Sequence, residues 1–105
     1  LILPYEDKSV NSNFHLYVLQ VKENPSFDRY DLFTYLSNKD YLPMVHYIPV
    51  HLLTYYKNLY GLKRGDFPVA EKFYDRAISI PLYPSLSDAE VEKVVKDITI
   101  FVESY

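Results

Sequence analysis

Cysteine is absent from all 105 residues. That excludes a disulfide framework, a thiolate nucleophile and every zinc site built on sulfur, and it is compatible with a cytoplasmic setting. Glycine is nearly as scarce: the only two, Gly61 and Gly65, fall together in the turn-like "GLKRGD". Lys63 and Arg64 in that segment are a candidate anion contact, but the Gly-Lys-Ser/Thr ending of a phosphate loop is missing and a solvated turn accounts for it. No apolar run approaches the roughly 20 residues needed to span a bilayer, so no membrane partner is expected. Lysine and arginine number 11 against 14 acids, a net charge of -3, and they form no basic block. No nucleic-acid partner is expected either.

What the chain does have is tyrosine. Twelve Tyr and six Phe bring the aromatic share to 17%, more amphipathic ring than one small core needs, and such rings favour interfaces. A chain of this length is about one domain. It opens on "LILPYEDKSVNSNF", which has no initiator Met and no signal-peptide pattern and reads as the interior of a fold. A fragment is expected, with something missing from one face.

Strand and helix signals alternate. "FHLYVLQV", Phe14 to Val21, reads as a strand buried on both faces, closed by "KENP". A helix follows from an N-cap at Ser26 to near Lys39, with Phe27, Tyr30, Phe33 and Leu36 on its apolar face. "YLPMVHYIPV" is at most a short edge strand, because Pro43 and Pro49 interrupt it. "HLLTYYKNLY" predicts about two helical turns closed by Gly61. Asp66 as N-cap and Pro68 in the first turn predict a helix whose inner face is Phe67, Ala70, Phe73, Tyr74 and Ala77. "AISIPLYP" gives a short strand cut by proline. Ser87 and Glu90 form a capping box for a last helix with Val91, Val94, Val95, Ile98 and Phe101 on one stripe, and with Asp88, Glu90, Glu92 and Asp97 on its solvated side. The expected fold is α/β, a two-layer α+β-like sandwich with a short mixed or antiparallel sheet and helices on one face.

The most reactive stretch is "VHYIPVHLLTYY", Val45 to Tyr56. In His46, Tyr47 and His51 it combines imidazoles that exchange protons near neutral pH with a phenol that donates to phosphate or sugar oxygens. Half-buried side chains satisfied at a strand end fit the same residues, as does a loop-bonded His15 at the start of the first strand. Tyr55, Tyr56 and Tyr60 fit a stacking platform or the apolar face of a short helix. No catalytic constellation and no metal-ligand spacing stands out.

The order of these motifs is more specific than any one of them. "FHLYVLQV", "FDRYDLFTYLSNKD", "VHYIPVHLLTYY" and "GDFPVAEKFYDRAISIPLYPSLSDAEVEKVV" together resemble the C-terminal domain of the DegT/DnrJ/EryC1/StrS family of pyridoxal-phosphate-dependent sugar aminotransferases, from about Asn13 onward. The resemblance implies that residues 1–105 are the small domain of a fold-type I transferase. A large N-terminal domain would carry pyridoxal 5'-phosphate and its lysine, a role no lysine here matches by motif, neither Lys39 nor Lys57 nor Lys63. It implies a homodimer that moves an amino group from an amino acid, usually glutamate, to a nucleotide-linked keto-sugar, with His46, Tyr47 and His15 on the substrate side. The 105 residues alone would then be inactive.

One position departs from the family pattern. Lys39-Asp40-Tyr41 stands where Lys-Gly-Ile is usual, and Asp tolerates the left-handed turn that Gly adopts freely. Two other classes remain open at this level: a non-catalytic binding module, and a relative that uses the same cofactor to dehydrate sugars.

Overall fold

Two short segments containing β-branched and aromatic residues pair to make the sheet. Strand β1, Tyr17–Gln20, runs antiparallel to β2, Ala77–Ile80, with Tyr17 opposite Ile80 and Gln20 opposite Ala77. The computed structural model describes residues 1–23 and 26–105, so the "NP" of the turn expected after β1 lies outside the described residues. Single bridges widen the sheet on both sides, Ile2 against Gln20 and Met44 against Ser79, both antiparallel.

Proline explains why Met44 is all that forms of the strand expected around it. Neither Pro43 nor Pro49 has an N–H for the ladder. β1 is shorter than the expected 14–21 because Phe14 adopts a φ of 40° and a bend at His15 and Leu16 precedes the ladder. Nor is β1 buried on both faces: Leu19 and Val21 are buried, while Val18 and Gln20 are half-covered.

Four α-helices fill out the described residues: α1, Arg29–Ser37; α2, Thr54–Tyr60, after a 3-10 turn at Val50–Leu52; α3, Pro68–Arg76; and α4, Asp88–Glu103. α1 packs on α4 and on β2, and α3 lies beside β1. This is the expected two-layer α/β arrangement, with an antiparallel sheet. Its core joins Leu19 and Val21 of the β1 segment, Leu32 and Leu36 of α1, Ile78 of β2, and Val94, Ile98 and Phe101 of α4, with Phe27 edge-on to Phe101 at 5.1 Å. No helix among the described residues is long and apolar enough to cross a membrane.

Local chemistry sets the helix ends. α4 begins with the expected capping box, Ser87 Oγ accepting from the Glu90 N–H and Glu90 reaching back to the Ser87 N–H at 2.8 Å. α2 ends on Gly61 in the left-handed conformation. α1 is capped by Asp28 rather than Ser26, since Asp28 and Asp31 make a reciprocal box of their own. α3 takes Phe67 as its N-cap residue, because Asp66 instead accepts the Lys63 N–H at 2.8 Å and closes the preceding turn.

The faces also depart from expectation. In α1 the buried residues are Leu32 and Leu36, and Tyr30 is 72% exposed. In α3 the first part of the expected inner stripe faces outward, with Phe67 50% and Phe73 43% exposed, while Tyr74 is half-buried and Ala77, just past the helix, is buried; the residue the helix itself buries is Glu71. In α4 Val91 and Val95 are exposed while Asp97 is buried.

The turn after α1 places Asp40 at a φ of 61°, with the Tyr41 N–H donating to the Leu36 carbonyl at 3.1 Å. Asp is thus standing in for Gly in a left-handed position. Asp40→Gly is expected to stabilise the fold by about 0.5 kcal/mol, and Asp40→Val to cost more than about 1 kcal/mol, because a β-branched side chain meets the full left-handed penalty. Urea unfolding of the two variants checks the opposite signs.

Candidate functional site

The loop from Met44 to Pro49 leaves the sheet at a fixed point. Met44 and Ser79 exchange both backbone hydrogen bonds, at 2.8 and 3.0 Å. Two residues on, His46 Nδ1 lies 2.8 Å from Ser79 Oγ, so β2 anchors the loop by backbone and then by side chain. His46 is joined to Tyr47 by a cis peptide bond, and their rings meet edge-on at 4.6 Å.

The loop is a partition between two clefts. His46 lines the larger, about 700 Å³, with Lys39, Tyr41, Met44, Tyr83, Glu90 and Lys93 among its other walls. Tyr47, 72% exposed, lines the second, about 670 Å³, where it and Pro49 face Phe67, Pro68, Val69 and Phe73. The apolar stripe of α3 thus forms a cleft wall.

His51, grouped with them in the sequence, goes elsewhere. It is buried, and its Nε2 lies 2.8 Å from Glu71 Oε1. Glu71 also accepts the Gly65 N–H at 2.8 Å and the Phe67 N–H at 3.3 Å. Burial pushes the Glu71 carboxyl up, but the Gly65 N–H, His51 and the Phe67 N–H together hold it below its ordinary range. His15 is exposed on the bend before β1 and is not among the residues lining either cleft.

A second polar cluster lies in the wall of the larger cleft, and sequence reasoning missed it. Asp97 is buried, accepting from the Tyr41 hydroxyl at 2.8 Å and from Lys39 Nζ at 3.0 Å; Lys93 Nζ donates to the Tyr41 oxygen at 3.2 Å. The Tyr41 hydroxyl and then the Lys39 ammonium hold the Asp97 carboxyl low. Asp97 in turn raises Lys39. Burial, followed by the bond to Asp97, pushes the Tyr41 phenol up. A signal was available: Asp97 is three residues from Val94 and four from Phe101, so it flanks the buried stripe of the helix rather than lying on the solvated face expected for it.

Two other candidates resolve as surface. Arg64 forms an ion pair with Asp75, which spends its charge within the chain and leaves "GLKRGD" a solvated turn. α2 buries none of its residues: Tyr55 and Tyr60 are 68% and 66% exposed, so this helix does not turn its tyrosines inward.

A pyridoxal cofactor needs a lysine free to become a neutral amine. In the larger cleft Lys39 is bonded to Asp97 and kept protonated, while Lys93 donates to Tyr41 and lies 5.0 Å from its ring centroid. These two lysines do not fit the cofactor's anchoring group.

Residues 1–99 match the model of the DegT/DnrJ/EryC1/StrS aminotransferase family, and the chain belongs to that family. It is 39% identical over 105 residues to the spore coat polysaccharide biosynthesis protein SpsC of Bacillus subtilis, covering 98% of this chain and 27% of that one. It is 32% identical over 84 residues to the dTDP-3-amino-3,6-dideoxy-alpha-D-galactopyranose transaminase of Aneurinibacillus thermoaerophilus, 79% of this chain and 21% of the relative. A crystal structure of a DegT DnrJ EryC1 StrS aminotransferase from Brucella abortus superposes with a TM-score of 0.78 at 28% identity, over 95% of this chain and 26% of that one. The chain therefore spans about a quarter of the length of the relatives it matches.

Proposed function

We propose that residues 1–105 are the small C-terminal domain of a pyridoxal-phosphate-dependent aminotransferase. The complete polypeptide would transfer an amino group from an amino acid, with glutamate as donor, to a nucleotide-linked keto-sugar in cell-surface polysaccharide or amino-sugar synthesis. The family match over residues 1–99 carries this proposal, and the transaminase named among the relatives supports the substrate class. The cofactor, which supplies the amino-group carrier, would be held by a large N-terminal domain, in keeping with a larger cleft whose two lysines are both engaged. The enzyme would act as a homodimer in the cytoplasm.

Within this chain the work is recognition. The His46 ring is oriented by Ser79 through Nδ1, which leaves Nε2 to meet an oxygen of the sugar or its phosphates. The Tyr47 hydroxyl, on an exposed ring, donates to the same substrate. His15 would approach from the β1 side. In this scheme no proton moves through Lys39, whose ammonium stays paired with Asp97.

His46→Ala in the complete polypeptide is expected to raise KM for the keto-sugar about tenfold to a hundredfold, the worth of one hydrogen bond to a charged group, with little change in the amino-donor half-reaction. An unchanged KM would overturn the assignment. Absorption spectra of the polypeptide loaded with pyridoxal phosphate, before and after glutamate, test the donor half separately.

A further inference from the structure

The second cleft has two walls, and one buried carboxylate ties them together. One wall is Tyr47 and Pro49, which run directly into the 3-10 turn Val50–Leu52. The other is Phe67, Pro68, Val69 and Phe73 at the start of α3. Glu71, one turn into α3, is 6% exposed and reaches both sides: it meets His51 in the 3-10 turn at 2.8 Å and accepts the Gly65 and Phe67 N–H groups at 2.8 and 3.3 Å. The His51 ring also rests 4.7 Å from the Phe67 ring.

Among the described residues, His51–Glu71 is the one hydrogen bond that joins these two walls directly. α2 and the long turn that follow the 3-10 segment bury nothing in α2, and α3 turns its apolar side outward. Besides Glu71, the walls are linked by the His51–Phe67 ring contact, by β2, which continues from α3 and holds Met44 and His46 through Ser79, and by the chain through residues 53–64.

We propose that Glu71 is a positioning residue: by clamping His51 to the 65–67 turn it fixes the width of the cleft beside Tyr47, and so the placement of the Tyr47 ring on the nucleotide-sugar. The carboxylate touches no substrate. It acts through Tyr47, and the inference rests on the assignment of Tyr47 to the substrate side. The design fits a buried, fully engaged side chain, which loses little entropy when ligand binds because it is ordered beforehand.

The test is equilibrium binding by titration calorimetry to the complete polypeptide, using whichever of a panel of UDP-, GDP- and dTDP-linked sugars binds most tightly. Circular dichroism checks that each variant is folded at the working temperature. Glu71→Ala is expected to weaken binding about tenfold or more, the scale of a displaced contact group. Glu71→Gln keeps the shape and an acceptor for the two N–H groups, and should restore most of the affinity. The decisive comparison is made in a Tyr47→Ala background, where Glu71→Ala should add nothing, because a residue acting through Tyr47 has nothing left to place.

A folded Glu71→Ala variant with unchanged affinity would overturn the clamp, and so would losses from the two substitutions that multiply. If Tyr47→Ala itself leaves binding unchanged, or no sugar of the panel binds, the substrate-side assignment fails and takes the clamp with it. Should Glu71→Ala not fold, His51→Gln loosens the same tie from the other side and carries the same comparison.

Discussion

Ile78→Ala is expected to destabilise the chain by roughly 3–4 kcal/mol. Three side-chain carbons leave a fully buried site at about 0.8 kcal/mol each, and the cavity adds the remainder. Ile78 is 0% exposed, lies opposite Leu19 in the ladder and belongs to the core cluster shared with α1 and α4. Rigid elements press on it from three directions, so the gap has little freedom to collapse. The neighbouring residue in β2 is Ser79, which holds both Met44 and His46. On the proposed function, loosening β2 should also weaken nucleotide-sugar binding by the complete polypeptide, besides lowering the urea midpoint. Val91→Ala, in the exposed part of α4, is the control and should stay within about 0.5 kcal/mol. Comparable losses in the two variants would mean that the packing described here is wrong.

Asp97→Ala is expected to be the most damaging polar substitution, lowering the thermal midpoint by at least about 5 °C. It removes the shared acceptor of the Tyr41 hydroxyl and the Lys39 ammonium and leaves the half-buried Tyr41 O–H without an acceptor, while Lys39, partly exposed, loses its ion pair. Asp97→Asn keeps one acceptor oxygen and should fall between. The pair also predicts an acid response. With the Asp97 and Glu71 carboxyls held below their ordinary ranges, the unfolded chain binds more protons than the folded one as pH drops. Their contribution is complete above about pH 5 and is lost as pH falls through about 4 and below. Lys39 is raised, so its part persists through neutral pH and is lost only as pH rises past the ordinary lysine range. Thermal melts from pH 7 to pH 3 should show Asp97→Asn losing less than the parent chain over the acid limb.

The sequence was most legible where one residue type has one job. Ser87 with Glu90, Gly61, and Pro68 at the first position of α3 each announced a helix end that the structure has. Caps made of aspartate were harder to assign. Asp28 and Asp31 satisfy one another and displace Ser26, while Asp66, the expected cap, serves the turn before it. Helical faces were misassigned wherever polarity was taken as a proxy for exposure. Asp97 and Glu71 are buried because each has partners enough to replace water, and those partners, Tyr41, Lys39, His51 and the Gly65 and Phe67 amides, lie 4 to 58 residues away in the chain. Of the candidate site, the sequence singled out His46 and Tyr47 but put them on a short edge strand, of which only the bridge at Met44 forms. That the loop divides two clefts, and that His51 turns inward away from both, depends on contacts that only the folded chain brings together.

The pairing of β1 with β2 joins residue 20 to residue 77, and both clefts and both buried carboxylate clusters draw on the long excursion between them. Closing a loop of that size costs roughly 3–4 kcal/mol of chain entropy before any ladder bond repays it. Sheet pairing should therefore come late in folding, after α1 and the turns have shortened the effective loop, and the search should be slow for so short a chain. The Met44–Pro49 loop, anchored on β2 through the Met44–Ser79 and His46–Ser79 bonds, would then be among the last parts to find its place.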